Sequence, residues 1–521
     1  MPKEISQGLF RLIKSMKKSE KRYFKLFTTQ DGKPEDPKFL KLFNLIDKQS
    51  VYDEEEILAK EPGFIPSQLS NLKAHLYKRI LQSLRRYNAG SVSDIQIREH
   101  IDHAQILYNR SLYTQCARVL HKAKKLANRY HSLELLLEIF KWEKNVLSQT
   151  ISRGNQKRVN EIIRQVQDVN NRINNINTLT NLSVKLNALY LRKGYVRNEK
   201  GYHKITNIFE GGMPKYDESE LSFHEKLHLY NAHVTYYFFI QDFKKGSEFA
   251  QKWVDLFDQT KGLIPDNLDM YIKGLNSLMV AQYKLMRYHA FVNNHKKLKA
   301  IRQIPRIELD ENIKLKLLKY TYVHEFNRYF MLGDFDIGVA LMNKIKPGLE
   351  QFIHQLDKHS RLVMYYKIAC LYFGNNNFRQ AIRWLNQIIN SEEVDIREDV
   401  HSFARIINLI CHYELGHTEV IPYYLRSTYR FLSKQDDLHQ FQKYILAFIK
   451  GVDQKMTDKE LIGQFQNLRK RLLPLVDSPY EKRAFIYFDI ISWLESRIEH
   501  RLVQEVIKSK SRKIISSVVA A

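Results

Sequence analysis

The sequence predicts an all-α fold, an α-solenoid of about eight helical hairpins, and three observations carry that expectation. First, eight times along the chain a helix-length segment ends in a short polar turn and a second one begins. The first residues of these second helices are Tyr113, Gln156, Tyr202, Phe243, Tyr288, Phe335, Phe378 and Thr418, at intervals of 43, 46, 41, 45, 47, 43 and 40 residues. A near-constant period of this length marks stacked hairpins, each burying its apolar face on its neighbours. Second, 19 Gly and 12 Pro in 521 residues are roughly half the combined share of about 12% in ordinary proteins, so helices run long and turns stay short. Third, a chain of 521 residues that is 44% hydrophobic exceeds one compact core and must divide or extend.

Composition narrows compartment and partner. Cys116, Cys370 and Cys411 are scattered, odd in number and without a Cys-x-x-Cys pair, which argues against a disulfide framework or a thiolate zinc site and for a reducing compartment. Met1 to Lys18 alternate basic and apolar positions without the apolar core of a secretory signal, and no stretch approaches 18 uncharged apolar residues. A soluble cytoplasmic protein without membrane insertion is expected. The 83 Lys and Arg against 57 Asp and Glu leave a net charge of +26, a field that attracts polyanions without selecting one.

Three parts follow in order. Residues 1–90 form a basic helical domain outside the repeat; 91–435 carry the hairpins; 436–521 hold longer capping helices and a basic tail. Tyr87-Asn-Ala-Gly-Ser-Val-Ser93 reads as the linker between the first two. Breaks at Gly211-Gly212-Met213-Pro214, Gly262-Leu-Ile-Pro265 and Ile304-Pro305 fall between hairpins, where connections are needed.

In the first part, Tyr52 to Lys60 predicts a short helix, Glu61 to Pro66 a turn, and Ser67 to Tyr87 a longer helix capped by Ser67. Leu69, Leu72, Leu76, Ile80, Leu84 and Tyr87 make its apolar stripe. Lys73, Lys78, Arg79, Arg85 and Arg86 are its candidates for nucleic-acid contact. This order resembles a helix-turn-helix DNA reader. The turn is longer than that motif uses, and Asp53, Glu54, Glu55 and Glu56 on the preceding helix would repel phosphates.

The clearest hairpin runs from Leu362 to Asn390. Tyr365, Ile368, Ala369 and Tyr372 share one face, Asn375-Asn376-Asn377 makes the turn, and Phe378, Ala381, Leu385 and Ile388 continue the face beyond it. Gly333-Asp334-Phe335 gives a second such turn, and Tyr113 a third, with Ala104 and Cys116 as its small pair. The arrangement resembles the tetratricopeptide repeat, over about two thirds of the chain, with intervals above that family's usual spacing and bulky residues such as Phe291 and Ile421 at some small positions. The resemblance implies a right-handed solenoid whose first helices line a concave groove. It also puts the residue five before each second helix near that surface, here Tyr108, Phe238, Tyr283, Phe330, Phe373 and Tyr413. Two roles are open to these rings: packing between hairpins, or walling a groove in which Asn231, Asn276 and Asn327 hydrogen-bond an extended peptide.

One catalytic motif stands in the sequence. His224-Glu225-Lys226-Leu227-His228 has the His-Glu-x-x-His spacing that sets two imidazoles one helical turn apart for zinc, with Glu as base. Lys226 puts a charge inside it, no upstream strand is predicted to hold a substrate, and no third ligand stands out. Phosphate loops, dinucleotide fingerprints and nucleophile elbows are missing from the sequence. The expected function is therefore a non-enzymatic scaffold or adaptor for a protein or peptide partner, without metal or cofactor. The alternative is a nucleic-acid-binding regulator with a repeat sensor, and the remote one a zinc peptidase.

Overall fold

The computed structural model describes residues 2–28, 37–88, 93–150, 156–304, 309–391, 395–434, 438–452 and 456–519. Ala89 to Val92 of the expected linker and Pro305 of the third break lie outside them. All regular elements among the described residues are helical. The chain forms two compact units, 1–173 and 174–521; the division falls within one helix of the sequence-defined repeat region.

The first unit begins with α1 (Pro2–Ser15), α2 (Lys18–Phe27), α3 (Pro37–Lys48), α4 (Glu54–Lys60) and α5 (Pro66–Asn88). α5 packs on α1, α2 and α3 around Leu9, Phe24, Phe43, Leu69, Leu76 and Ile80, all at most 1% exposed. It starts one residue ahead of the expected Ser67 cap, because proline suits the first helical position, where no amide hydrogen is required. Next come α6 (Ser93–Asn109), α7 (Tyr113–Arg129) and α8 (Leu133–Gln149). Here Ala104 and Cys116 are fully buried, and the Cys116 thiol donates to the Ala104 carbonyl at 3.2 Å.

α9 (Gln156–Lys193) starts in the first unit and ends in the second. Its 38 residues contain neither Gly nor Pro, so one helix closes the hairpin at Gln156 and opens the next. The second unit continues with α10 (Glu199–Gly212), α11 (Phe223–Phe239), α12 (Phe243–Gln259), α13 (Leu268–Lys284), α14 (Tyr288–Ala300), α15 (Glu311–Leu332), α16 (Phe335–Gln355), α17 (Lys358–Gly374), α18 (Phe378–Ile389), α19 (Glu398–Glu414) and α20 (Ile421–Lys434). From α11 to α20 each helix packs on the next, and α13, α15, α17 and α19 also touch in series. Helices begin at six of the eight expected residues, while α10 and α20 start at Glu199 and Ile421 instead of Tyr202 and Thr418.

A single turn geometry underlies this regularity. Two residues before the expected start of a second helix the backbone is left-handed at Ser111, Gln241, Met286, Gly333, Asn376 and Gly416, with φ between 54° and 75°. The following amide in each case donates back across the turn: Leu112 to Leu107, Asp242 to Tyr237, Arg287 to Gln282, Asp334 to Tyr329, Asn377 to Tyr372 and His417 to His412, at 2.9–3.1 Å. This is the helix-ending Schellman bond, which satisfies an orphan carbonyl. Four of the six sites are not glycine, so each holds a conformation that costs roughly 1 kcal/mol or more for a residue with a Cβ.

The C-terminal region consists of α21 (Gln440–Gly451), α22 (Asp458–Leu472), α23 (Arg483–Tyr487), α24 (Ile490–Ile498) and α25 (Val503–Val519). These helices are shorter than expected, because Pro474 and Pro479 interrupt the sequence between α22 and α23. α25 returns to α15, where Ser511 donates to the Leu332 carbonyl at 3.3 Å. The basic tail is spent on such contacts: Lys508 pairs with Asp334 at 3.5 Å, Lys510 with Glu495 at 2.6 Å and Arg501 with Glu499 at 2.9 Å.

One buried knot ties distant segments of the second unit. Arg397, 4% exposed, pairs bidentately with fully buried Asp399 at 2.8 and 2.9 Å. The Tyr487 hydroxyl donates to the same carboxylate, the Arg397 guanidinium lies 4.8 Å from the centre of the Tyr190 ring, and the Arg397 amide donates to the Leu191 carbonyl at 2.8 Å. Gly194, at φ 77°, passes so close that an added Cβ would lie 1.8 Å from the carboxylate. Burial pushes the Asp399 carboxyl up, but the charge and hydrogen bonds of Arg397 and the Tyr487 bond outweigh it, and the net shift is downward. The stability it contributes is therefore complete at neutral pH and lost as pH falls through the depressed value.

Two substitutions test this architecture. Asp399→Ala is expected to destabilise the second unit by about 3–5 kcal/mol in chemical denaturation, because it strands a buried guanidinium; a loss below about 1 kcal/mol would refute the knot's role. Ser111→Gly is expected to stabilise the first unit by about 0.5–1 kcal/mol by relieving left-handed strain, and a loss of stability would count against the turn geometry.

Candidate functional site

The nine groove candidates occupy several different settings: Tyr108 lies in the first unit and the other eight in the second. Four of the rings pack on the first residue of their own second helix, across the turn: Tyr108 on Tyr113, Phe238 on Phe243, Phe330 on Phe335 and Phe373 on Phe378, with centroids 5.2–5.9 Å apart. This is packing within a hairpin; Tyr108 also packs on Trp142 of α8, with centroids 5.4 Å apart. The left-handed turn explains the packing within the hairpin, since it brings residues five apart face to face. Tyr413 instead packs on Phe448 and Phe465.

Three of the six candidate rings share a cavity of about 1390 Å³ in the second unit. Tyr283 of α13, Phe330 of α15 and Phe373 of α17 line it from successive first helices, together with Asn276. Tyr487 and Phe488 complete the wall: Tyr487 stacks on Phe403 at 4.4 Å and Phe488 packs edge-on against Phe373 at 4.7 Å. Phe238 and Tyr413 do not line this cavity.

The asparagines are linked inward. Asn231, 6% exposed, donates to Ser183 at 3.2 Å. His324, fully buried, lies between the other two: its Nε2 is 3.0 Å from Asn276 Oδ1, and its Nδ1 is 3.3 Å from Asn327 Nδ2. The Lys367 ammonium then donates to Asn327 Oδ1 at 2.6 Å. Burial, followed by the charges of His295 and Lys367, drives the His324 pKa well down, so a neutral Nε2–H tautomer donates to Asn276 and accepts from Asn327. The chain of bonds crosses α13, α15 and α17 and ends on a cation in the cavity wall. Asn276 alone of the three lines the cavity.

Sequence reasoning missed the charges here. Lys284 and Lys367 both line the cavity and both lie against Tyr283, their ammonium nitrogens 4.8 and 5.5 Å from its ring centre. Lys367 is also 5.3 Å from the centre of the Phe330 ring. Burial lowers the Lys367 pKa to about 8, and burial with the charges of Lys367 and Arg397 holds that of Lys284 well below the ordinary lysine range. A signal was present: Lys367 is the single charged residue between Arg361 and Arg379, and Lys284 the single one between Lys273 and Arg287.

The basic candidates of α5 occupy different environments. Lys73 is 4% exposed and pairs with Glu54 at 2.7 Å, so the acidic start of α4 holds it inside the first unit. Lys78, Arg85 and Arg86 are exposed and Arg79 half-buried; Arg85 pairs with Asp102 at 3.4 Å, while Arg79 and Arg86 lie over the Phe27 ring at 4.8 and 5.3 Å.

His224-Glu225-x-x-His228 opens α11. Glu225 is 3% exposed and closes a capping box, accepting from the Ser222 amide and hydroxyl at 3.0 and 2.6 Å and from Asn175 at 2.9 Å. His224 Nε2 lies 3.1 Å from Asn267 Oδ1, and burial with the His224 charge lowers the His228 pKa to about 4. Among the described residues no group of three His, Cys, Asp or Glu is arranged to hold a metal ion. No described helix is long and apolar enough to cross a membrane.

Compared with known proteins, the chain matches no family model and no curated protein.

The depressed pKa of Lys367 gives a direct test of its setting. About half of it is unprotonated at pH 8, against well under 1% of an ordinary lysine. Under limiting acetylation at pH 8, peptide mapping should find Lys367 modified faster than exposed Lys78. A slower rate would mean that the ammonium is shut off from the cavity.

Proposed function

We propose that this chain is a cytoplasmic helical-repeat scaffold or adaptor that holds a protein or peptide partner, its hairpins stacked as a right-handed, tetratricopeptide-like solenoid. The reading rests above all on one observation: Tyr283, Phe330 and Phe373, from three successive first helices, line one cavity with Asn276. An aromatic wall interrupted by a hydrogen-bonding amide suits an extended peptide, whose apolar side chains need desolvated contact and whose backbone needs polar partners. Non-enzymatic action accords with Glu225 serving as a helix cap.

The exposure of Lys78, Arg85 and Arg86 on α5 supports a second reading, a nucleic-acid-binding regulator. It is weaker by one member, since Lys73 is engaged with Glu54. Phosphate contacts would then come from the remaining exposed cations.

Two measurements separate these readings. Peptides selected from a random 12-residue display library on the full-length protein are expected to lose about tenfold or more in affinity on Phe330→Ala or Phe373→Ala, in variants whose melting shows them folded. Peptides indifferent to both changes would place the partner surface elsewhere. In parallel, binding of duplex DNA and RNA is measured at two salt concentrations, with Lys78, Arg79, Arg85 and Arg86 changed to Ala. Tight, salt-steep binding that collapses in this variant would make the regulator primary.

A further inference from the structure

We propose that the cavity of the second unit receives an acidic peptide, a carboxylate of which is held at Lys367 and Lys284 beside the Tyr283 ring. This rests on the peptide-binding reading above and specifies the chemistry of its partner.

The charge of the wall points to an anion. Seven Lys or Arg side chains line the cavity against three Asp. Two of those carboxylates are already engaged as helix caps: Asp242 accepts from the Lys245 amide and Asp489 from the Ser492 amide and hydroxyl. Among the cations, Arg397 is neutralised by Asp399 and Lys510 by Glu495. Lys367 differs, because its partners among the described residues are the neutral Asn327 oxygen and two aromatic rings, with no ion pair. A partly buried ammonium solvated in this way retains a strong preference for a counter-ion, and its field acts through a medium less polarisable than water.

The neighbouring groups leave that preference uncompensated. Facing Lys367 are Tyr283 and Lys284 of α13, His324, Asn327 and Phe330 of α15, and Tyr366 and Cys370 of its own helix. Burial raises the Tyr283, Tyr366 and Cys370 pKa values, that of Cys370 to about 12, and lowers that of His324. All four are therefore neutral near pH 7. Arg397, which acts on Lys284, is a cation with its own partner. Of the groups facing it, then, Lys284 alone can add charge near Lys367, and an incoming carboxylate favours the protonated form of both. Aromatic walls beside the cations admit apolar side chains next to that acid, so a peptide fits better than a compact inorganic anion.

The experiment repeats the random 12-residue peptide selection on full-length protein and on Lys367→Gln and Lys284→Gln variants. Glutamine keeps a donor toward Asn327 while removing the charge. The expected result is peptides enriched in Asp and Glu from the wild type, binding about tenfold or more weakly to either variant. Wild-type affinity should fall as pH rises through about 8, since Lys367 loses its proton there; this readout needs no variant. Peptides recovered without acidic bias, or with pH-independent affinity, would overturn this inference and leave peptide binding standing. Recovery of no peptide would overturn both. A 12-nucleotide RNA that binds and is lost in Lys367→Gln, while acidic peptides are not selected, would replace the peptide with a phosphate polymer.

Discussion

The left-handed turn repeated at Gln241, Met286, Gly333, Asn376 and Gly416 is the constraint on which much of the second unit depends. Because the Schellman bond fixes how the chain leaves one helix and enters the next, it decides which side chains meet across the turn. Residues five apart are brought together, and at four of the five turns where both are aromatic the two rings pack on each other. Repetition of the turn in α13, α15 and α17 then brings the first helices into series and sets Tyr283, Phe330 and Phe373 around one cavity. The site is a consequence of the turn geometry more than of any single residue.

Charge is managed in two ways within the same unit. The Arg397–Asp399 pair is fully matched, with bidentate geometry and Tyr487 closing the carboxylate. A pair satisfied in this way adds little net stability over an apolar core, yet losing either member is costly; its effect is to fix where α9, α19 and the chain near Tyr487 lie. Lys367 is matched only by neutral groups, at a cost in desolvation that folding alone does not recover. The first arrangement specifies structure, and the second leaves free energy that a ligand can recover.

Much of the fold was legible in the sequence because helix periodicity and turn spacing are local. The buried pairs Ala369 with Ala381 and Ala104 with Cys116 followed from small residues at helical offsets. Other features were not local. Ser111, Gln241, Met286 and Asn376 adopt left-handed backbone without the glycine that announces it, so the turn type was invisible. The packing partners of Phe330 and Phe373 depended on that turn. Lys73 reads as one more basic residue on α5, and only the approach of Glu54 from α4 shows it to be internal. Lys284 and Lys367 stood out as lone charges in uncharged runs, but what they face depends on residues some 80 positions apart meeting at one ring.

Because Phe330 and Phe373 both close turns and wall the cavity, truncating either ring changes stability along with recognition, and the two effects are told apart by checking that each variant is folded. Phe373 packs on Phe378 across its turn and on Phe488 across the cavity; removing it opens the turn as well as the wall. The lysines are different. Neither closes a turn, and Lys367 reaches the core through a single bond to Asn327, so its charge can change while the hairpins keep their packing. Electrostatics is thus the property of this cavity that can vary without rebuilding the fold, which makes the sign of the partner's charge more discriminating evidence about function than its apolar content.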